Sequence, residues 1–449
     1  MRSGACRSIR WRHCVRYIDR PLQRPLNDAV DYSNRFSTDW GESEPSQLGR
    51  MESMTMNDGA GNEIGNEAAR VLDPSRLIAH VEAATGLNDW GTPEFRTALD
   101  QLCASAIDEA DLEGAALAGF AATIERLLTN RLRLYADRAA FPEIATQKIV
   151  APLIVTGLPR GGTTILHGLL AQDPAARSAA KWEVDCPSPP PRAENRANDP
   201  RIAISTAAVE AIPAAFRAMH AMGATLPEEC NNFFMMAFRS PNFGATANLP
   251  SYMRWLIEDA DMAPAFEFHR HFLQHLQAFA PAGYWVLKAP PYLWWPEALF
   301  AAYPDARVVV THRDPADVMP SNASLIAYLR GYTGTPDPLA VGKEQVGHWR
   351  TGLDRMHRYR SSGAHSEQFI DTYYTDFVSA PMGVVATIYD RFDMTLSNEA
   401  RDAMTRFLAG NTQGKHGRHD YQAETFGLSR ETLHREFGDY IAAYAIPTR

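Results

Sequence analysis

Residues Ile154-Val-Thr-Gly-Leu-Pro-Arg-Gly-Gly-Thr-Thr164 decide the fold of this chain. An apolar strand runs into a glycine-rich turn, and the turn into the helical pattern Ile165-Leu-His-Gly-Leu-Leu170. That order is the strand–loop–helix of a phosphate-binding loop, in which backbone N–H groups and a helix N-terminus face an anion. The ATP/GTP form of the loop reads G-x-x-x-x-G-K-[ST]. Gly157, Gly162 and Thr164 fit it, but Thr163 stands where the lysine belongs, and the cation has moved upstream to Arg160. Such a loop grips a phosphate chain without the lysine on which nucleotide hydrolysis relies. The pattern calls for a different nucleotide.

Working outward, apolar strands alternate with helical patterns from about residue 148. The strand candidates are Lys148–Gly157, Trp285–Lys288, Arg307–Thr311 and Phe369–Tyr374. This alternation predicts an α/β, P-loop-like fold of three layers, a central parallel sheet with helices on both faces. Ligands then bind beyond the carboxyl ends of the strands. Upstream, residues 71–147 read as an N-terminal helical region. Asp73-Pro74 starts one helix, Thr92-Pro93-Glu94 a second, and a third runs from about Glu113 to Tyr135 with Leu117, Phe120, Ile124, Leu127 and Leu128 at helical spacing. The stretch from about 195 to 280 reads as a helical cap over the site, within a domain spanning 148–449.

Residues 1–70 stand apart. Residues 1–24 carry seven arginines against the single acid Asp19, and a Pro/Ser/Asn/Glu/Gly-rich stretch follows. A transit peptide has this composition; so does a disordered tail, or upstream sequence ahead of a start at Met51, Met54 or Met56. No chemistry is assigned to it. The whole chain, 449 residues and 45% hydrophobic, is long enough for one large core and a satellite layer. A net charge of -9 argues against a general nucleic-acid binder. No apolar run approaches the roughly 20 residues of a membrane span. Five scattered cysteines without C-x-x-C spacing suit a reducing, cytoplasmic setting better than a disulfide framework or zinc site.

A second motif, His312-Arg-Asp-Pro-Ala-Asp-Val-Met-Pro-Ser321, follows the strand Arg307-Val-Val-Val-Thr311. An arginine fork at the strand end and a serine eight residues later suit a phosphate monoester. The plainer reading is a turn whose Asp314-Pro315 caps a helix.

Taken together, the motifs resemble the PAPS-dependent sulfotransferase family, especially its bacterial branch. The resemblance runs from about residue 73 to the C-terminus and rests on five stretches in order. These are Gly157-Leu-Pro-Arg-Gly-Gly-Thr-Thr164, Trp285-Val-Leu-Lys-Ala-Pro290, Tyr303-Pro-Asp-Ala-Arg-Val-Val-Val-Thr-His-Arg-Asp-Pro315 with Ser321, Thr372-Tyr-Tyr-Thr-Asp-Phe377 and Gly414-Lys-His-Gly-Arg-His-Asp-Tyr421. It implies that Arg160, Gly161, Gly162, Thr163 and Thr164 hold the 5′-phosphosulfate of PAPS, with Arg160 in place of the lysine common in cytosolic members. Arg313 and Ser321 would bind the 3′-phosphate, and Lys415, His416, Gly417 and Arg418 would close over it. Lys288 is the candidate for stabilising the leaving oxygen. The acceptor would be a small-molecule hydroxyl compound, PAP the product, and no metal is required, because a sulfuryl group carries less charge than a phosphoryl.

The base is where the chain departs from the family. Many members place a histidine shortly after the lysine; here Lys288-Ala-Pro-Pro-Tyr292 offers tyrosine. Tyr292 is a poor base at its ordinary pKa of about 10, though it could orient the acceptor. Thr225-Leu-Pro-Glu-Glu229 supplies Glu229, favoured as base, and Glu228, whose spacing from Thr225 also fits a helix cap. His269, His271 and His275, and His416 with His419, read as structural or surface histidines rather than metal ligands. The aromatic and Met cluster Phe233, Phe234, Met235, Met236, Phe238, Tyr252, Trp255, Trp294 and Trp295 is read mostly as core; members lining a pocket would favour an apolar or amphipathic alcohol or phenol. Two rivals stand beside this reading: a small-molecule kinase with an atypical phosphate loop, and a non-catalytic PAP-binding protein on the same fold. Oligomeric state is not legible.

Overall fold

The computed structural model describes residues 67–411 and 421–448. The basic stretch Lys415, His416, Gly417 and Arg418 lies outside the described residues. After a helical stretch at 67–71 come three helices: α1 (Pro74–Thr85), α2 (Phe95–Glu109) and α3 (Gly114–Ala140). The Asp73 carboxylate accepts the Arg76 N–H at 2.8 Å, with Pro74 at the first helical position and left-handed Gly86 ending the helix. Helix α2 begins three residues later than its Thr92 signal. The α3 stripe of Leu117, Phe120, Ile124, Leu127 and Leu128 is buried as its spacing requires. From the same helix, buried Arg131 donates to the carbonyls of Trp90, Thr92 and Met236 at 3.0–3.3 Å and lies 4.5 Å from the Phe95 ring centroid. One guanidinium thus ties α3 to the turn before α2 and to the middle of the chain.

The sheet has five strands, β1 (Leu153–Gly157), β2 (Ala176–Arg177), β3 (Tyr284–Lys288), β4 (Arg307–His312) and β5 (Phe369–Tyr373), in the order β2-β3-β1-β4-β5. Every pairing is parallel, with Val155 opposite Lys288 and Gly157 opposite Thr311. Side chains alternate between two cores. Leu153, Val155, Val286 and Val309 enter one cluster; Ile154, Trp285, Leu287, Val308 and Val310 enter the other. That period of two, with apolar residues on both sides, buries both faces under helices and makes the three layers. The second cluster also takes in residues from Ala68 to Ile446, so the N-terminal helices share a core with the sheet.

Further helices that bear on the site are α4 (Thr163–Leu170), α5 (Ala214–Met219), α6 (Asn231–Met235), α7 (Ala263–Gln277) and α8 (Pro315–Arg330). The first strand starts at Leu153 rather than Lys148, and the two-residue β2 was not expected. Among the described residues no helix is long and apolar enough to cross a membrane.

Candidate active site

β1 lies between β3 and β4, so the turn after it opens between two strand ends, where α/β sheets bind ligands. Two glycines let the backbone through. At Gly157, φ is 139°, and a Cβ would run into the Thr311 carbonyl. At Gly162, φ is 90°, and a Cβ would come within 2.8 Å of the Tyr374 ring. Arg160 between them is itself left-handed, with φ 63°, a conformation that costs a non-glycine residue about 1 kcal/mol or more. Helix α4 starts at Thr163 directly after the loop, and the first N–H groups of a helix have no intrahelical partner, which makes such an end suited to an anion.

The structure brings the two phosphate motifs together. The Arg160 Nε donates to Ser321 Oγ at 3.3 Å, and its Nη1 to the Met219 carbonyl at 2.8 Å. Arg313 Nη1 donates to the Arg160 carbonyl at 2.9 Å. The Arg313 guanidinium lies 4.1 Å from the centroid of the Tyr374 ring, and its buried Nε has no hydrogen-bond partner among the described residues. A buried donor left open in this way is costly unless an acceptor arrives. Burial pushes the Arg160 guanidinium below its ordinary pKa, with Arg313 acting in the same sense and Tyr421 against it. Two crowded arginines with open N–H groups are a site for a multiply charged anion.

The strand end holding Arg313 is braced from behind. Asp314 caps α8, accepting the Ala316 N–H at 2.8 Å, so the plain capping reading also holds. Its carboxylate is further held by Arg430 at 2.8 Å and His434 at 2.9 Å. His312 donates or accepts at Tyr440 (2.9 Å) and meets Asp371 at 2.8 Å, while Arg360 grips Asp371 with two bonds of 2.7 Å.

At the β3 end, Lys288 is buried, donates to Thr164 Oγ1 at 3.2 Å and forms an ion pair with Glu229. Thr164 itself is exposed. Burial raises the Glu229 pKa, but Lys288 and His220 overcome it, and the carboxyl is held below its ordinary range. Asn231 donates to its other oxygen at 3.3 Å. Glu228 does not cap a helix. Residues 225–228 are drawn aside by the bridge between Ala180 and Pro227, α6 starts only at Asn231, and the Glu228 carboxylate accepts the Glu229 N–H at 2.9 Å. Burial moves its pKa up, against Lys181.

Tyr292 sits elsewhere. It is fully buried in the core, its hydroxyl 3.2 Å from His269 Nε2 and its ring edge-on to Phe234. His269 in turn meets the Tyr303 hydroxyl at 2.6 Å. His275 meets the Pro187 carbonyl at 2.9 Å, and no group of His, Cys, Asp and Glu among the described residues has metal-binding geometry. Phe233, Phe234, Met236, Phe238, Tyr252, Trp294 and Trp295 are core; Met235 and Trp255 are partly buried. Cavities of about 280 and 230 Å³ lie under the C-terminal helices near Tyr440 and Tyr444, away from the loop.

Three participants were given no role from the sequence. Tyr374 supports Arg313 and packs on Gly162; it stood within the stretch Thr372–Phe377 and at the expected end of a strand, which closes one residue earlier, at Tyr373. The Met219 carbonyl reaches Arg160 through the backbone, which no side-chain pattern encodes. His220 follows it, a lone histidine in a stretch read only as helical.

The family model described as Sulfotransferase family matches residues 152–398, more than half of the chain. The solved structure of sulfotransferase STF1 from Mycobacterium tuberculosis H37Rv is 32% identical over 81% of this chain and 98% of that one, with a TM-score of 0.71. For sulfotransferase STF9 from Mycobacterium avium the identity is 28%, the coverage 83% and 97%, and the TM-score 0.76. A comparison with curated protein sequences gives no match. The chain belongs to the sulfotransferase family, and it is a transferase.

Proposed function

We propose that this protein moves the sulfuryl group of PAPS to the hydroxyl of a small apolar or amphipathic acceptor, releasing PAP and a sulfate ester. The observation that carries the reading is the contact of Arg160 with Ser321, with Arg313 bonded to the loop backbone. It joins a phosphate loop to an arginine–serine pair suited to a second phosphate, and PAPS differs from ATP in carrying one at the 3′ position. The Nε of Arg313, without a hydrogen-bond partner among the described residues, and the first N–H groups of α4, which have no intrahelical partner, fit such a ligand. Arg160, Gly161, Gly162, Thr163 and Thr164 would hold the 5′ end, Arg313 and Ser321 the 3′-phosphate, and Lys415, His416, Gly417 and Arg418 would close over it.

In the transfer, the acceptor oxygen bonds to sulfur as the bond from sulfur to the bridging oxygen breaks. The electron pair leaves on the 5′-phosphate of PAP. Lys288, bonded to Thr164 beside the loop, is placed to stabilise that oxygen, and Arg160 the developing charge around it. Glu229 fixes Lys288 and would place a negative charge near the acceptor hydroxyl. Of the bases considered from sequence, Glu229 is paired with Lys288 and Glu228 accepts the Glu229 N–H, while the Tyr292 hydroxyl meets His269. Five scattered cysteines without C-x-x-C spacing suit a reducing compartment, and we place the reaction in the cytoplasm. A kinase is the weaker reading, because Thr163 is a buried residue where the hydrolytic lysine would stand. Calorimetric titration tests the nucleotide: PAP should bind far more tightly than ADP or ATP, and equal affinities would refute the assignment.

A further inference from the structure

The proton of the acceptor hydroxyl needs a base. Glu229 is ion-paired with Lys288 and held below its ordinary pKa, which weakens it in that role; Glu228 is turned to the Glu229 N–H and to Lys181 at 3.7 Å, and the Tyr292 hydroxyl meets His269. His220 is not engaged in this way: among the described residues its ring nitrogens make no hydrogen bond. Its place is set by three contacts. The carbonyl of the preceding residue, Met219, accepts from Arg160 Nη1 at 2.8 Å, which puts His220 one residue from the guanidinium that touches Ser321. Its own N–H donates to the Phe216 carbonyl at 2.9 Å, closing α5. Its ring stacks on Phe216, with centroids 6.3 Å apart and planes at 13°.

The stack continues. Phe216 lies parallel to Tyr328, 6.2 Å away and 7° from coplanar. Tyr328 is seven residues beyond Ser321 on α8, two helical turns along and so on the same face. His220 is therefore held, half-buried, at the inner end of an aromatic ladder that rises beside the phosphate arginines. The charged groups that act on it are Glu229, Lys288, Arg160 and Lys181. Burial, with the three cations, keeps the imidazole neutral below its ordinary pKa; Glu229 opposes them. An imidazole whose ring nitrogens make no hydrogen bond among the described residues, next in sequence to the residue that holds Arg160, has the attributes of a general base, and the Glu229 charge favours its protonated form.

We propose that His220 is the catalytic base: a ring nitrogen takes the acceptor's proton as the oxygen–sulfur bond forms and the sulfur–bridging-oxygen bond breaks. This rests on the sulfotransferase reading above. It gives Glu229 a positioning role, holding Lys288 and stabilising the imidazolium.

The test compares wild type with His220→Gln and His220→Ala, using PAPS and two phenols, one already ionised at the assay pH and one not. On the un-ionised phenol kcat should fall roughly 10²–10⁴-fold, the usual worth of a general base, and on the ionised phenol less than about 10-fold. Imidazole in the buffer should restore part of the His220→Ala rate. The acid limb of the wild-type pH–rate profile should vanish in His220→Gln. PAP affinity and thermal midpoint should hold, showing an intact fold. Equal losses on the two phenols, or no rescue together with an unchanged pH profile, overturn the assignment while leaving the transferase reading in place. PAP binding by a wild type that transfers the sulfuryl group to no member of a panel of phenols and alcohols contradicts the proposed reaction, and this assignment with it.

Discussion

Removing the Arg313 side chain separates this account from any in which the loop binds an ordinary nucleotide. In the structure the guanidinium spends one N–H on the Arg160 carbonyl, rests on Tyr374 and keeps Nε open and buried. A 3′-phosphate would receive that donor in a charge-assisted bond. Bonds of this kind contribute about 2–3 kcal/mol, so Arg313→Ala should weaken PAP by roughly 30- to 150-fold in Kd. ADP, which has no 3′-phosphate, should lose only what the loop loses in support. The folded state gives up one hydrogen bond and one ring contact but is also relieved of a buried unsatisfied donor, so stability should change by about 1 kcal/mol or less. Arg313→Lys should fall between, keeping charge without the fork. Calorimetric titrations of both variants with PAP and ADP, beside thermal melts, give the numbers. Equal weakening of PAP and ADP, or none of PAP, would refute the reasoning.

Other substitutions probe the remaining parts of the site. Arg160→Ala should lower kcat while leaving the nucleotide-free melting temperature nearly unchanged, and Arg160→Lys should recover part of the rate; an unchanged kcat in steady-state assays would remove the loop from the reacting centre. Glu229→Gln leaves buried Lys288 without its counter-charge and should cost about 3 kcal/mol in denaturant melts, a loss that Lys288→Met in the same chain partly recovers. Burial raises the Asp371 pKa, but His312 and Arg360 outweigh it and hold the carboxyl well below its ordinary value. Its contribution to stability is therefore present above the unfolded carboxylate range and lost as pH falls through the folded value; melts from neutral to acid pH should show Asp371→Asn losing the most, relative to wild type, at neutral pH.

The parts of the site that were legible in the sequence are those encoded locally. A strand, a glycine turn with its cation, and a strand-end arginine with a serine eight residues on are all short-range patterns, and their apolar runs give the strands that place them. Even there, β2 escaped, because Ala176 and Arg177 are too few to show alternation. Contacts between distant segments were not legible. Lys288 and Glu229 lie 59 residues apart, and Arg160 and Ser321 161 apart; nothing in either segment names its partner. The cap suggested by Thr225 and Glu228 lost to a bridge with Ala180, a tertiary pairing that overrode local spacing. Tyr292 illustrates the opposite case. Family resemblance put it at the acceptor, while its neighbours Pro290, Pro291, Leu293 and Trp294 already spelled burial. His220 had no pattern at all, since its environment is made by Phe216, Tyr328 and Arg160 from three elements.

The most direct measurement follows the sulfuryl group itself. The purified chain is incubated with PAPS and a panel of phenols and alcohols, with ATP in parallel reactions, and nucleotides and acceptors are resolved by mass spectrometry. The account predicts PAP and a sulfate ester in equal amounts from PAPS, and no phosphorylated acceptor from ATP. ADP and a phosphate ester from ATP, with PAPS left intact, would contradict it.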